Sequence, residues 1–311
     1  MSRNGTLRSA VLSVLTLLGL LLATSVPAAA ATAGRTAAPS AAASVGSSDC
    51  SSLPLQRDDF PSTPKIDNRF LPMVPGTQFF LDGSVIAPDG TAHPHRIATT
   101  VTDLTKEVDG VNTLVVYDVD IQDGQVQESE LFFLAQRNDG SVWTLGEYPE
   151  EYTNGQLDGA PSAWIGGVQD ARPWQAMLAH PRAGTATYAQ GVAPRVQFKD
   201  CATVFKTGQR TCVPLNCYDN VLVIDEFGPL DPQGGHQRKF YAPGVGNVRV
   251  AAAGGVDPEA LALTRAATLC SSDFAKIRQL VLAQDDRGYT VARAVYSHTP
   301  RAQETLRAAT C

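Results

Sequence analysis

From Ile86 to Leu157, segments rich in Val, Thr, Phe, Tyr and Leu are broken at regular intervals by short polar stops. These stops are Pro88-Asp89-Gly90, Val108-Asp109-Gly110, Gln122-Asp123-Gly124, Asn138-Asp139-Gly140 and Thr153-Asn154-Gly155. Asp-Gly and Asn-Gly supply the positive φ that tight hairpins need, so the pattern predicts a β-meander. Its strands are longer than the usual ~5–6 residues. Long consecutive antiparallel strands twist and curl, which predicts a mainly β fold: a barrel, half-barrel or sandwich.

The flanks follow from the same reading. Five prolines in residues 50–75 predict an extended arm lying on the domain, and Pro75-Gly76 opens a first strand over 77–83. Residues 156–184, with Gly159, Gly166, Gly167, Pro161, Pro173 and Pro181, predict a long excursion with a short helix over 173–179. Strands return at 186–190, 196–206, 220–226, 239–241 and 247–250. Asp257-Pro258-Glu259 has the form of a helix start ahead of Leu261 and Leu263. Ser271 or Ser272 caps a second helix whose stripe is Phe274, Ile277, Leu280 and Val281, ended by Gly288. A third segment runs over 291–298, and Pro300 opens a last helix to Cys311. The expectation is a β domain over 50–255 and a helical C-terminal extension over 256–311.

Arg3 and Arg8, an apolar run over 10–23 and the small residues Val26-Pro27-Ala28-Ala29-Ala30 have the form of a Sec-type signal peptide over 1–30. An Ala/Ser-rich linker follows over 31–49. The expected location is outside the cell, with no membrane span. A formal net charge of −6, more acidic still without the leader's arginines, makes nucleic acid a poor partner. Six cysteines in an exported chain predict disulfides rather than a metal site. Cys201 and Cys212 flank an expected hairpin at Thr207-Gly208, and Cys270 and Cys311 bracket the C-terminal segment, so these two pairings are the expected ones.

If the central turns are two-residue hairpins, Tyr117 lies opposite Glu130 and Phe132 opposite Glu147. One face then carries Val115, Tyr117, Phe132, Leu134, Trp143 and Leu145 around Glu130 and Glu147. Diagonal carboxylates roughly 7 Å apart on an apolar surface would share a raised pKa and could act as acid and base or acid and nucleophile. His93-Pro94-His95 and the acidic run Asp118–Gly124 lack the further ligands of a metal or calcium site. No nucleophile elbow, phosphate loop, dinucleotide fingerprint or zinc-protease helix is present, so neither cofactor nor metal is expected. Trp143, Trp164 and Trp174, with Tyr148 and Tyr152, gather around the excursion and form the candidate ligand-binding set.

Several ordered motifs carry a resemblance: Leu71-Pro72-Met73-Val74-Pro75-Gly76-Thr77, Gly140-Ser141-Val142-Trp143 with Gly146-Glu147 and Glu151-Tyr152, Trp164-Ile165-Gly166-Gly167-Val168, Ala179-His180-Pro181-Arg182-Ala183-Gly184, and Phe240-Tyr241-Ala242-Pro243-Gly244-Val245-Gly246. Over about residues 66–250 the chain resembles an uncharacterised family of exported bacterial β-rich proteins. The resemblance implies export and a β fold and brings no catalytic residues. The cysteines and the C-terminal tail stand outside its pattern.

Three functions are consistent with these features. The first is a secreted, non-enzymatic protein holding a small apolar or carbohydrate ligand on the concave face of the sheet. The second is an extracellular hydrolase or lyase acting on polysaccharide through Glu130 and Glu147. The third is an inhibitor or interaction module for another exported protein. Oligomeric state is not legible.

Overall fold

The computed structural model describes residues 50–309 and 311. The expected signal peptide and linker lie outside these residues. The strands are β1 (Thr77–Ile86), β2 (Ala92–Val108), β3 (Val111–Gln122), β4 (Gln125–Gln136), β5 (Val142–Thr153), β6 (Gln156–Gly159), β7 (Trp164–Ile165), β8 (Arg172–Met177), β9 (Tyr188–Ala193), β10 (Phe198–Cys212), β11 (Cys217–Phe227), β12 (His236–Ala242), β13 (Gly246–Ala253), β14 (Glu259–Thr268) and β15 (Gln303–Glu304). Two helices, α1 (Ser271–Val291) and α2 (Arg293–Tyr296), fall between β14 and β15.

The pairing order β1-β14-β13-β12-β11-β10-β9-β8-β5-β4-β3-β2 returns to β1, so the antiparallel sheet closes into a 12-stranded barrel. Closure leaves no unpaired edge among these strands. Short β6 and β7 pair with β5, and β15 adds to β2. Asp109-Gly110, Asp123-Gly124 and Asn154-Gly155 all have positive φ at both residues, the conformation of two-residue hairpins. Asn138-Asp139-Gly140 instead belongs to a longer connection over 137–141, in which only Gly140 is left-handed.

The β14 strand corrects the expected helix at Asp257-Pro258-Glu259. Glu259, Leu261 and Leu263 are buried and alternate with more exposed residues, a period of two rather than 3.6. Pairing with both β1 and β13 makes β14 the strand that closes the barrel. The β sheet therefore extends beyond the expected boundary at 255. The segment expected to be helical over 173–179 is largely β8, held between β5 and β9. After Pro300 the chain forms β15 rather than a helix.

Helix α1 lies across the outside of β2–β5. Val281, Tyr296 and Val295 pack there against Val115, Leu131, Phe133, Trp143, Leu145 and Tyr148. Gly288 does not end the helix. Leu280 is exposed and drops out of the expected stripe; buried Gln284 and Asp285 occupy the inner face instead. Gln284 donates to the Ser129 carbonyl at 2.7 Å, and Asp285 accepts from Lys106 Nζ at 2.8 Å. The arm crosses one end of the barrel, where Ile66 and Leu71 join the interior cluster. It is fixed by Asn68 Nδ2 donating to Gly140 O at 2.8 Å and by the Gly244 amide donating to Arg69 O at 2.8 Å.

The disulfides are Cys50–Cys201, Cys212–Cys217 and Cys270–Cys311. The last is the expected pairing. Cys201 and Cys212 are not partners: they stand near opposite ends of the same strand, β10. Cys201 reaches back to the arm, and Cys212 pairs across the hairpin with Cys217, its register partner. Three disulfides fit a chain that folds outside the reducing cytosol. No helix among the described residues is long and apolar enough to cross a membrane.

Candidate functional site

The barrel holds a partly open cavity of about 270 Å³, close to the lower end of the ~300–1,000 Å³ common for ligand pockets. Its composition changes in the same direction along β3, β4, β10 and β11. On β3 the inward series is Val116 then Asp118, and on β4 it is Leu134, Phe132, then Glu130. On β11 it is Leu222, Ile224, then Glu226, and on β10 Val204, Ala202, then Asp200. The apolar end is the one crossed by the arm, where Leu71, Pro72 and Met73 reach the cavity. The far end is acidic. Six carboxyl side chains line the cavity (Asp118, Glu130, Glu147, Asp200, Glu226 and Glu259), and Lys239 is the basic residue among them.

Two β-bulges decide which side chains face this space. The Asp123-Gly124 hairpin forms as a two-residue turn, but an extra residue on β4, Gln127, shifts the register so that Asp118 lies opposite Glu130 and Tyr117 opposite Leu131. The longer turn at 137–141 shifts the next pair of strands by one, and an extra residue at Leu145 shifts them back. Phe132 therefore does lie opposite Glu147, as expected, whereas Leu134 lies opposite Thr144. A one-residue slip moves side chains to the other face. The single apolar face expected around the carboxyl pair is thus divided. Phe132, Leu134, Glu130 and Glu147 point into the barrel, while Val115, Tyr117, Trp143 and Leu145 point outward beneath α1.

Glu130 and Glu147 remain diagonal neighbours, now inside a cavity. Burial, followed by the negative charges of Glu128, Glu147 and Asp118, pushes the Glu130 carboxyl well above its ordinary value. Burial pushes Glu147 up to about 7, against a hydrogen bond from Trp164 Nε1 at 2.8 Å. Asp118 is likewise pushed up to about 7 by burial, and burial raises Asp200 well above its ordinary value. Lys239 holds its charge, because its salt bridge to Glu226 at 2.6 Å and the other carboxylates outweigh the cost of burial. Glu226 also accepts from Gln190 Nε2 at 3.2 Å and Tyr241 Oη at 3.4 Å.

At the acidic end, buried His95 stands between two carboxylates, with Nε2 2.6 Å from Asp120 and Nδ1 2.7 Å from Glu259. The second contact is an ion contact without hydrogen-bond directionality. Burial opposes charging of the ring, but both partners together raise it to about 10, so His95 is an imidazolium at neutral pH. His95 and His93 do not converge: His93 turns to Asp123 at 2.8 Å. Among the described residues no group of three or more His, Cys, Asp or Glu is placed to hold a metal ion.

The candidate aromatic set does not line the cavity. Trp143, Trp174 and Tyr148 belong to the core outside the barrel wall, where Trp143 meets Phe60 edge-on and Tyr148 packs on Tyr296. Tyr152 donates to Glu150. Trp164 stacks on Phe198 and reaches the site only through Glu147. Sequence reasoning missed Asp200, Glu226, Lys239 and Glu259, and it weighed Asp118 and His95 only as possible metal or calcium ligands. For Asp118 a signal for the barrel site also existed: Asp118 and Asp120 alternate with Val119 and Ile121 on a predicted strand, which places two acids on the face opposite to the β-branched residues.

No protein-family model and no curated protein matches the chain. Among solved structures it is similar to a protein described as a "putative lipoprotein" from Parabacteroides distasonis, at 13% identity and a TM-score of 0.37, covering 64% of this chain and 99% of that one. It is also similar to a "putative exported protein with YmcC-like fold" from Bacteroides fragilis, at 12% identity and a TM-score of 0.33, with the same coverage. Neither likeness is close enough to lend this chain a ligand, an activity or a location.

Proposed function

We propose that this protein is exported by a Sec-type signal, works outside the cell without catalysis, and holds a small ligand inside its barrel. The observation that carries the reading is the partly open cavity of about 270 Å³ inside the barrel, apolar at the arm end and hydrogen-bonding at the other. Such a space suits an apolar or carbohydrate molecule better than a macromolecule. Screening sugars, lipids and small amphiphiles by thermal shift tests it, since a ligand at 100 times its Kd adds ~2.7 kcal/mol. Ala176→Trp, which fills the cavity from its apolar wall, is expected to abolish the shift. A screen without any stabilising compound, or a shift that survives Ala176→Trp, overturns the reading.

A second reading rests on a separate observation: Glu130 and Glu147 are diagonal neighbours that share a cavity, and both are hard to ionise. This is the arrangement of a general acid beside a second carboxylate in glycan-acting hydrolases. That reading requires Glu130→Gln and Glu147→Gln to abolish turnover of a polysaccharide while the protein stays folded. Absence of turnover in the native protein across a polysaccharide panel removes it.

A further inference from the structure

The acidic end of the cavity is short of positive charge. Lys239 is taken by Glu226, and His95 by Asp120 and Glu259. Among the described residues, no Lys, Arg or His forms a salt bridge with Asp118, Glu130, Glu147 or Asp200. Glu130 is only 4% exposed, accepts no hydrogen bond from any described residue, and faces the cavity. One carboxyl oxygen each of Asp118 and Asp200 is also buried without a partner. A buried carboxyl left in this state costs free energy until it is neutralised or paired. The acids are not gathered tightly enough to chelate a metal ion. They line a space long enough to expose apolar side chains at one end and carboxyls at the other.

We propose that the ligand is a small amphipathic organic cation, with its ammonium group seated against Glu130 and Glu147 and its apolar body directed toward Phe132 and Leu134. This inference rests on the binding reading above and adds the sign of the ligand's charge. An ammonium supplies both the missing charge and N–H donors, and charge-assisted hydrogen bonds are the stronger kind. A carboxylate ligand would set a negative charge against four carboxyls that have no cationic partner and would oppose their ionisation. A neutral sugar would meet more acceptors than it could satisfy once the acids ionise.

The groups facing Glu130 are Asp118 from β3, Glu128 on its own strand, Glu147 from β5 and Lys239 from β12. Those acting on Glu147 are Glu130, Asp200 from β10, Lys239 and the Trp164 indole. Binding a cation among them favours the ionised carboxyls and must release protons near pH 7.

The test is calorimetric titration of the disulfide-bonded full chain with three probes of one size: hexylamine, hexan-1-ol and hexanoate. At pH 8 hexylamine is expected to bind at least about tenfold more tightly than hexan-1-ol, and hexanoate more weakly than either. In the double variant Glu130→Gln, Glu147→Gln the amine's advantage should fall below about threefold. A second measurement needs no variant: at pH 7 the apparent heat of hexylamine binding should differ between phosphate and Tris, because released protons are taken up by buffers of different ionisation heat. Hexan-1-ol or hexanoate binding as tightly as hexylamine overturns the cation assignment and leaves the binding protein standing. Absence of hexylamine binding, an amine advantage that persists in the folded double variant, or equal heats in the two buffers also overturns the assignment. The ligand screen then decides separately whether the cavity binds anything.

Discussion

Glu147 and His95 set pH dependences of the same sign in different pH windows, because each holds its proton more tightly in the folded state. For Glu147, the folded value of about 7 lies above the ordinary carboxyl value of 4.5, so the folded state holds the proton more tightly. Its contribution is fully present below pH 4.5 and is lost as pH rises through about 7. Glu147→Gln keeps an acceptor for Trp164 and removes that loss. Its melting temperature should exceed that of the native protein at pH 8, by an amount equivalent to about 1–2 kcal/mol, and match it near pH 4.5. For His95 the folded value of about 10 lies above the ordinary 6.5, so its contribution is complete below pH 6.5 and disappears as pH rises through 10. His95→Gln is expected to lower the urea midpoint at pH 6 and to narrow its gap from the native protein at pH 10.5. A gap that stays constant between these pH values would mean that the ring is not held as a cation.

Helix α1 shows how an element can break its own local rules to fit a barrel wall. An alanine is normally about 1 kcal/mol better than glycine inside a helix. At position 288, however, a Cβ would lie 2.5 Å from the ring atoms of Tyr296, which is itself fully buried against Tyr148 and Phe133. Gly288→Ala is therefore expected to destabilise the protein by about 1–3 kcal/mol, the usual cost of overpacking, measured by urea denaturation. The inner face of α1 is polar for a related reason. Lys106, buried in the wall, needs Asp285 at 2.8 Å and the Pro300 carbonyl at 2.6 Å, and Arg278 Nε donates to Asp103 at 2.9 Å. These contacts fix the helix in one place on the barrel. They also explain why its apolar stripe is weaker than the sequence pattern implied.

Across the whole molecule, the disulfides close spans of very different length. Cys50–Cys201 joins residues 151 apart, tying the arm to the barrel, whereas Cys212–Cys217 joins residues five apart within one hairpin. On the chain-entropy account, replacing the first pair by serines should cost about 5 kcal/mol and the second about 2 kcal/mol. Chemical denaturation of the two double variants checks the order. A larger loss for the short span would show that local strand geometry, and not the unfolded chain, sets the contribution. The same closure that hides the edges creates the cavity, because 12 strands curve around more space than their inward side chains fill.

Much of the barrel was legible without coordinates, since a turn needing positive φ leaves an Asp-Gly or Asn-Gly mark at the place it acts. Such local chemistry determined the meander, the antiparallel order of β2 to β5, helix α1 and the pairing of Cys270 with Cys311. It also placed Glu130 and Glu147 on one face. What only the tertiary structure decided depends on residues distant in sequence. The bulges at Gln127 and Leu145 chose which neighbours share that face, and they leave no mark of their own in composition. Glu259-Ala260-Leu261-Ala262-Leu263 reads equally well as a capped helix or an alternating strand until β1 and β13 offer it hydrogen bonds on both sides. The acidic wall is decided the same way: Asp118, Glu130, Glu147, Asp200, Glu226, Lys239 and Glu259 come from seven strands, and only closure of the ring brings them together.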